Sequence, residues 1–348
     1  WGAIHSYRAL KGDPKASSLN FLVMGPWFHS QINRQGRAMG PFLWATDTAN
    51  QWRRELMMPF VNQYLKTDAP KVDTPPVWVY DTGADRWDRL NDLPTSCESG
   101  CSVPSKPLYF GPGGKLSFSP PANNEKGERY TEFVSDPAKP VPYRPRPILD
   151  KDGSGWRTWL VTDQRFVDGR PDVLTFVSDP LSAPMKLSGE PFVHLIASTT
   201  GTDSDWVVKL IDVYPNRELG AIDVTGAFPG LIAQPWDMNG YELPIATDIF
   251  RGRYRTSFER PSPIEPGKPL EYKFGLPMID RTIPAGHRIM VQVQSTLFPL
   301  YDRNPQKFVP NIFDAKPTDY EKATQRIWHT SGDASFISLP IVSGGDTQ

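Results

Sequence analysis

The 37 prolines and 27 glycines of this 348-residue chain crowd after residue 70 and cut it into runs too short for long helices. Between these breaks lie residues 77–80, 192–197, 206–213 and 288–294, rich in β-branched and aromatic side chains. In the last run Ile289, Val291 and Val293 alternate with Met290 and Gln292, as on a strand with one face in a core. Many short strands separated by turns predict a sandwich or barrel, so residues 73–348 are expected to be mainly β. A turn-rich stretch over 91–156, with Pro120-Pro121 and Pro140-Val141-Pro142, is expected to run partly as surface loop.

The pattern before residue 70 is different. Trp52, Leu56, Phe60 and Tyr64 recur in steps of four, a helical face, and Pro59 must kink or divide that helix because it lacks an amide donor. Residues 66–76 read as a connector, with the boundary near 72 and units 1–72 and 73–348. Upstream, the apolar run Phe21-Leu22-Val23-Met24 ends at Gly25-Pro26 and delivers Trp27, Phe28 and His29. A short buried strand closed by turn residues places His29 on a loop held by a rigid element. Imidazole exchanges protons near neutral pH, and such loops carry much of catalysis.

Several segments in order carry a resemblance over nearly the whole chain. They are Gly25-Pro26-Trp27-Phe28-His29-Ser30, Phe60-Val61-Asn62-Gln63-Tyr64-Leu65-Lys66, the run from Asp163 through Gly169 to Val173, the run from Ser204 to Pro215, Phe250-Arg251-Gly252-Arg253-Tyr254-Arg255, and Phe298-Pro299-Leu300-Tyr301-Asp302-Arg303-Asn304-Pro305. Together they resemble the α-amino-acid ester hydrolases, in the wider group of cocaine esterase, glutaryl cephalosporin acylase and X-Pro dipeptidyl-peptidase. The resemblance implies the last strand, loop and helix of an α/β-hydrolase domain followed by a jelly-roll β-sandwich. It also implies a serine hydrolase or acyltransferase that acts on esters or amides of α-amino acids, β-lactam antibiotics included, through an acyl-enzyme and without a cofactor.

His29 matches the triad histidine of these enzymes. Their nucleophilic serine sits on a Gly-x-Ser-x-Gly-like elbow, and their triad acid lies near an acidic run of the form Trp-Asp-Gln-Glu-Asp. Neither pattern occurs in residues 1–348, and Ser154 in Gly153-Ser154-Gly155 lacks the strand-turn-helix context. The expected partner is therefore an N-terminal α/β-hydrolase portion carrying Ser and Asp, and the chain by itself is expected to be inactive. Trp27, Trp156 and Trp159 are candidate aromatic walls for the acyl group. The resemblance further implies a homo-oligomer when complete and a periplasmic or secreted location.

A formal charge of −1, from 38 basic and 39 acidic residues, leaves no electrostatic footprint for nucleic acid or an acidic membrane surface. No apolar run reaches membrane-spanning length. Cys97 and Cys101, the two cysteines, are too few for a structural zinc site; a local disulfide or two free thiols fit the spacing, and we expect the disulfide. Asp302 and Asn304 lack the spacing of a calcium loop, and no metal is expected. A carbohydrate- or protein-binding jelly-roll without catalysis is the alternative reading, and His29 on its loop separates the two.

Overall fold

The computed structural model describes residues 1–95, 101–122, 128–148, 157–216, 237–330 and 332–342. The N-terminal part opens with helix α1 (Gly2–Lys11), which buries Ile4 and Tyr7 against Leu22, Val77 and Leu93. This helix is absent from the sequence expectation. Strand β1 (Leu22–Met24) follows, then a small hairpin of β2 (Ala38–Met39) and β3 (Phe42–Leu43), whose Gly40-Pro41 turn uses a positive φ of 56° at Gly40. Glycine takes that conformation without a Cβ penalty.

The expected kinked helix is α2 (Thr48–Gln51), a π-helical stretch (Trp52–Met57) and α3 (Met58–Leu65) in unbroken succession. The Met58 amide bonds the carbonyl of Arg53, five residues back. Pro59 explains the wider turn: its ring would collide with the carbonyl of residue 55, and a π turn relieves that clash while the chain stays helical.

Strands β4 (Val77–Asp81) and β5 (Arg86–Leu90) correct one expectation. Residues 77–80 were to open the sandwich, but β4 pairs parallel with β1, Val23 facing Trp78, and antiparallel with β5. These three make a small separate sheet in the order β1-β4-β5.

The remaining strands are β6 (Ser105–Gly111), β7 (Lys115–Ser117), β8 (Tyr130–Ser135), β9 (Leu174–Val177), β10 (Met185–Gly189), β11 (Phe192–Thr199), β12 (Asp205–Val213), β13 (Glu242–Arg251), β14 (Leu270–Gly275), β15 (Ile279–Ile283), β16 (Arg288–Gln294), β17 (Ala323–Thr330), β18 (Asp333–Ala334) and β19 (Phe336–Val342). They form one connected sheet system, antiparallel except for a single β7–β9 contact. One core holds Phe110, Phe176, Leu195, Trp206, Leu210, Val291, Ile327 and Leu339. This is the expected mainly-β architecture, consistent with a β-sandwich. On β16, Ile289, Val291 and Val293 enter that core, yet Gln292 and Gln294 on the other face are buried too. Some polar groups there find partners in neighbouring segments: Lys209 on β12 donates to Gln164 Oε1 at 2.8 Å, and Gln294 Nε2 to the Thr296 carbonyl at 2.5 Å.

Candidate functional site

Strand β1 ends at Met24, and Gly25 turns the chain so that the Trp27 amide bonds the Gly25 carbonyl at 2.9 Å. A Cβ on Gly25 would lie 2.5 Å from the Trp27 ring, and one on Gly36 would lie 2.7 Å from its Nε1, so the indole fits only because both residues lack side chains. That ring meets Trp52 at 5.9 Å and Trp87 at 5.8 Å, and its Nε1 donates to Thr48 Oγ1 at 2.9 Å. Its described contacts therefore anchor one side of the His29 loop.

Gln31 anchors the other side. Its Oε1 accepts from the Phe28 amide at 3.1 Å, and its Nε2 donates to the carbonyls of Gln35 at 3.1 Å and Ala38 at 2.8 Å. Between the anchors His29 is exposed, and Ser30 after it takes a left-handed φ of 67°. A non-glycine residue held in that region needs surroundings that over-determine it. Among the described residues, His29 has no hydrogen-bond or ion-pair partner, and no hydroxyl or thiol bonds its ring.

The β part reaches this loop through residues 157–162. The Arg157 guanidinium lies 5.4 Å from the Phe28 ring, and Val161 packs against Gly40, where a Cβ would meet it at 2.9 Å. Trp159 is half-buried in the same segment and meets Tyr143 edge-on at 5.6 Å. Trp156 lies outside the described residues. Two cavities flank the segment. The first, about 240 Å³, runs from Met24, Gly25 and Pro26 to Leu243 and Arg281, and the second, about 470 Å³, is lined by Gly40, Pro41, Arg144, Thr158 and Tyr241. Val161 borders both, while His29, Trp27 and Trp159 line neither.

Cys101 is disulfide-bonded; Cys97 lies outside the described residues. Asp302 pairs with Arg251, and Asn304 donates to Asp205 Oδ1 at 2.9 Å and accepts from the Gln306 amide at 2.8 Å, so both serve hydrogen bonding in the fold. The resemblance-bearing runs around residues 203–205, 251–253 and 302–304 thus meet in one polar network, completed by Arg253 on Asp203 at 2.8 Å.

Sequence reading did not find the group that joins the small sheet to the sandwich. Asp81 on β4, Asp88 on β5 and Asp280 on β15 surround the Lys186 ammonium on β10; Asp81 and Asp88 lie 2.7 Å from Nζ, and Asp280 is also in contact. Among the described residues these are the carboxylates close enough together to hold a cation, and the ammonium stands among them. Burial pushes Asp280 up to about 6, with Lys186 opposing. Burial also raises Asp81, but Lys186, the Thr282 hydroxyl and the Ala84 amide outweigh it and hold that carboxyl well below the usual range.

Comparison with known proteins follows the same division. Cocaine esterase of Rhodococcus sp. (strain MB1 Bresler) is 28% identical over 328 residues, spanning 92% of this chain and 51% of the esterase. A solved α-amino acid ester hydrolase superposes with a TM-score of 0.90 at 56% identity, covering 98% of this chain and 53% of that one. An aminopeptidase from the marine sediment archaeon Thaumarchaeota archaeon does so with a TM-score of 0.86 at 45% identity, covering 97% of this chain and 52% of that one. The chain thus spans about half the length of the relatives it matches. Residues 70–338 match the X-Pro dipeptidyl-peptidase C-terminal non-catalytic domain, and the chain belongs to that family.

Proposed function

We propose that this chain is the C-terminal portion of a serine hydrolase or acyltransferase acting on esters or amides of α-amino acids, β-lactam antibiotics among them, with His29 as its general base. The observation that carries the reading is the exposed His29, held between the Trp27 and Gln31 anchors and followed by the left-handed Ser30. In this reading residues 1–72 close an α/β-hydrolase domain, residues 73–348 form its jelly-roll companion, and an N-terminal portion brings the serine, the triad acid and the oxyanion donors. That serine attacks the carbonyl carbon while an imidazole nitrogen of His29 takes its proton. The proton passes to the leaving alcohol or amine, and water or an acceptor amine then opens the acyl-enzyme with His29 acting again. Trp27 is assigned to support behind the histidine, and Trp156 and Trp159 to the acyl wall. The disulfide at Cys101 supports a periplasmic or secreted location, and a homo-oligomer is assigned to the complete protein.

The sheet supports the missing portion. Strand β1 has β4 on one side and no described strand on the other, an open edge suited to a further strand. Against a sugar-stacking module, Trp44, Trp78, Trp206 and Trp328 are buried, and among the described tryptophans Trp1 alone is broadly exposed.

The test is turnover of a phenylglycine methyl ester by the chain alone, by the chain joined to its N-terminal portion, and by the joined form carrying His29→Ala. The chain alone should be silent, and the substitution should lower kcat by about a thousandfold or more, as loss of a triad member does. Turnover by the isolated chain, or an unaffected His29→Ala enzyme, would remove this assignment.

A further inference from the structure

We propose that the cavity of about 240 Å³ at the seam between the N-terminal part and the sandwich is a binding site for a small, neutral aromatic molecule. Both parts of the chain supply its wall. Met24 at the end of β1, Met39 on β2, Phe42 on β3 and Tyr80 on β4 come from one side, and Leu243 on β13 and Ile279 on β15 from the other. Met24, Gly25 and Pro26 in that wall are also the base of the loop that carries His29.

Size and lining set the class of ligand. An apolar cavity of about 150 Å³ stays dry and admits benzene. This larger volume leaves room for one ring with a short substituent, or for a second fused ring. Phe42, Trp44 and Tyr80 make one run of rings, with Trp44 6.5 Å from Phe42 and edge-on to Tyr80 at 5.5 Å. Met278 joins Met24 and Met39 to give three thioethers, unbranched and polarizable, which adapt to a ring and favour contact with its edge. Such contacts give an aromatic guest more than burial alone gives an aliphatic one.

The polar side chains of the wall are already committed. Asp280 is in contact with the Lys186 ammonium, and its Oδ2 accepts from Ser188 Oγ at 2.7 Å. Arg281 donates to Asp212 Oδ2 through Nε at 3.0 Å and Nη2 at 2.6 Å, and through Nη1 to Thr82 Oγ1 at 3.3 Å. The Tyr80 hydroxyl donates to Asp85. Among the described residues the Trp44 indole N–H has no partner, but its nitrogen is itself covered. A charged guest would lose its hydration and gain no partner in exchange, so the guest is neutral. The site does not depend on the hydrolase reading, because its wall is this chain's own and His29 is not in it.

Methyl NMR of the chain labelled at its eight methionines tests it, by titration with toluene, methylcyclohexane and benzoate, with Ile245→Trp and Val79→Phe as cavity-filling variants. Toluene should bind saturably with a Kd below about 1 mM and shift the signals of Met24, Met39 and Met278 ahead of the remaining methionines. Methylcyclohexane should bind at least threefold more weakly and benzoate at least tenfold. Each filling variant should weaken toluene at least tenfold. No saturable shift, shifts spread evenly over all the methionines, equal affinity for methylcyclohexane or benzoate, or undiminished binding to a folded filling variant would each overturn the proposal. Should one variant fail to fold in a thermal melt, the other decides. Should both fail, the pattern of shifted methionines and the toluene-to-benzoate ratio of the unaltered chain decide.

Discussion

Gln31 shows how one buried side chain can set the pose of an exposed one. With 4% of its surface accessible it satisfies one amide and two carbonyls on the loop that carries His29. Gln31→Ala strands these groups, and each buried unsatisfied group costs about 1–3 kcal/mol. We expect a loss of about 2–4 kcal/mol in urea unfolding. On the role proposed for His29, kcat of the joined form should fall about ten- to hundredfold with KM little changed, because displacing the proposed base would be felt at the reacting atoms. A kcat matching the unaltered enzyme would show that the loop is held without Gln31. The sequence made His29 legible because a strand, a turn and an imidazole follow one another within nine residues. Nothing marked Gln31, since a glutamine in a loop carries no signal until its three partners are in place. Trp27 was singled out for its neighbourhood, yet the glycines at 25 and 36 that admit its ring explain its position better than any ligand.

At the scale of elements, the contact between the small sheet and the sandwich rests on Lys186 and on a close backbone approach. Lys186→Met leaves Asp81, Asp88 and Asp280 facing one another without their cation, and breaking a buried pair in this way costs about 3–5 kcal/mol. A melting temperature within a degree of the unaltered chain would contradict this. Gly83 in the β4–β5 turn sits so near β15 that a Cβ would lie 1.9 Å from the Thr282 carbonyl oxygen. That neighbour is backbone and cannot rotate away, so Gly83→Ala must lift the turn, at about 1–3 kcal/mol of overpacking. Urea unfolding measures it. The long strands β11, β12 and β16 were legible because β-branched residues run unbroken between turns. Helix α1 and the β2–β3 hairpin were not, being short and stabilised by packing against later parts of the chain rather than by their own pattern. Strand β4 was recognised as a strand but given to the wrong sheet, because periodicity reports a strand and not its neighbour. The Lys186 cluster draws on residues 81, 88, 186 and 280, and no local pattern brings such distant positions together.

For the molecule as a whole, buried carboxyls set the pH response. Asp280 is pushed up to about 6 and Asp205 to about 7 from a usual 3.8, and Glu242 to about 8 from 4.5, each chiefly by burial. The folded state therefore holds protons that the unfolded chain has released. Their contribution is complete below about pH 4 and is lost as pH rises through these raised values. Lys209, pushed down to about 7 by burial, is protonated in both states below that value and opposes the trend only above it. Unfolding free energy should thus fall between pH 5 and pH 7, and Glu242→Gln should flatten the upper part of the slope; a rise over that interval would contradict the assignment. The parallel pairing of β1 with β4 has a different consequence, for protein engineering. A recombinant that exchanged the C-terminal half between relatives at residue 72 would graft a foreign strand into the host's own sheet and pit foreign side chains against its helix α1. A crossover placed after β5 would carry residues 77–90 with the N-terminal side and transfer the sandwich alone, leaving the Lys186 contact as the seam to be matched.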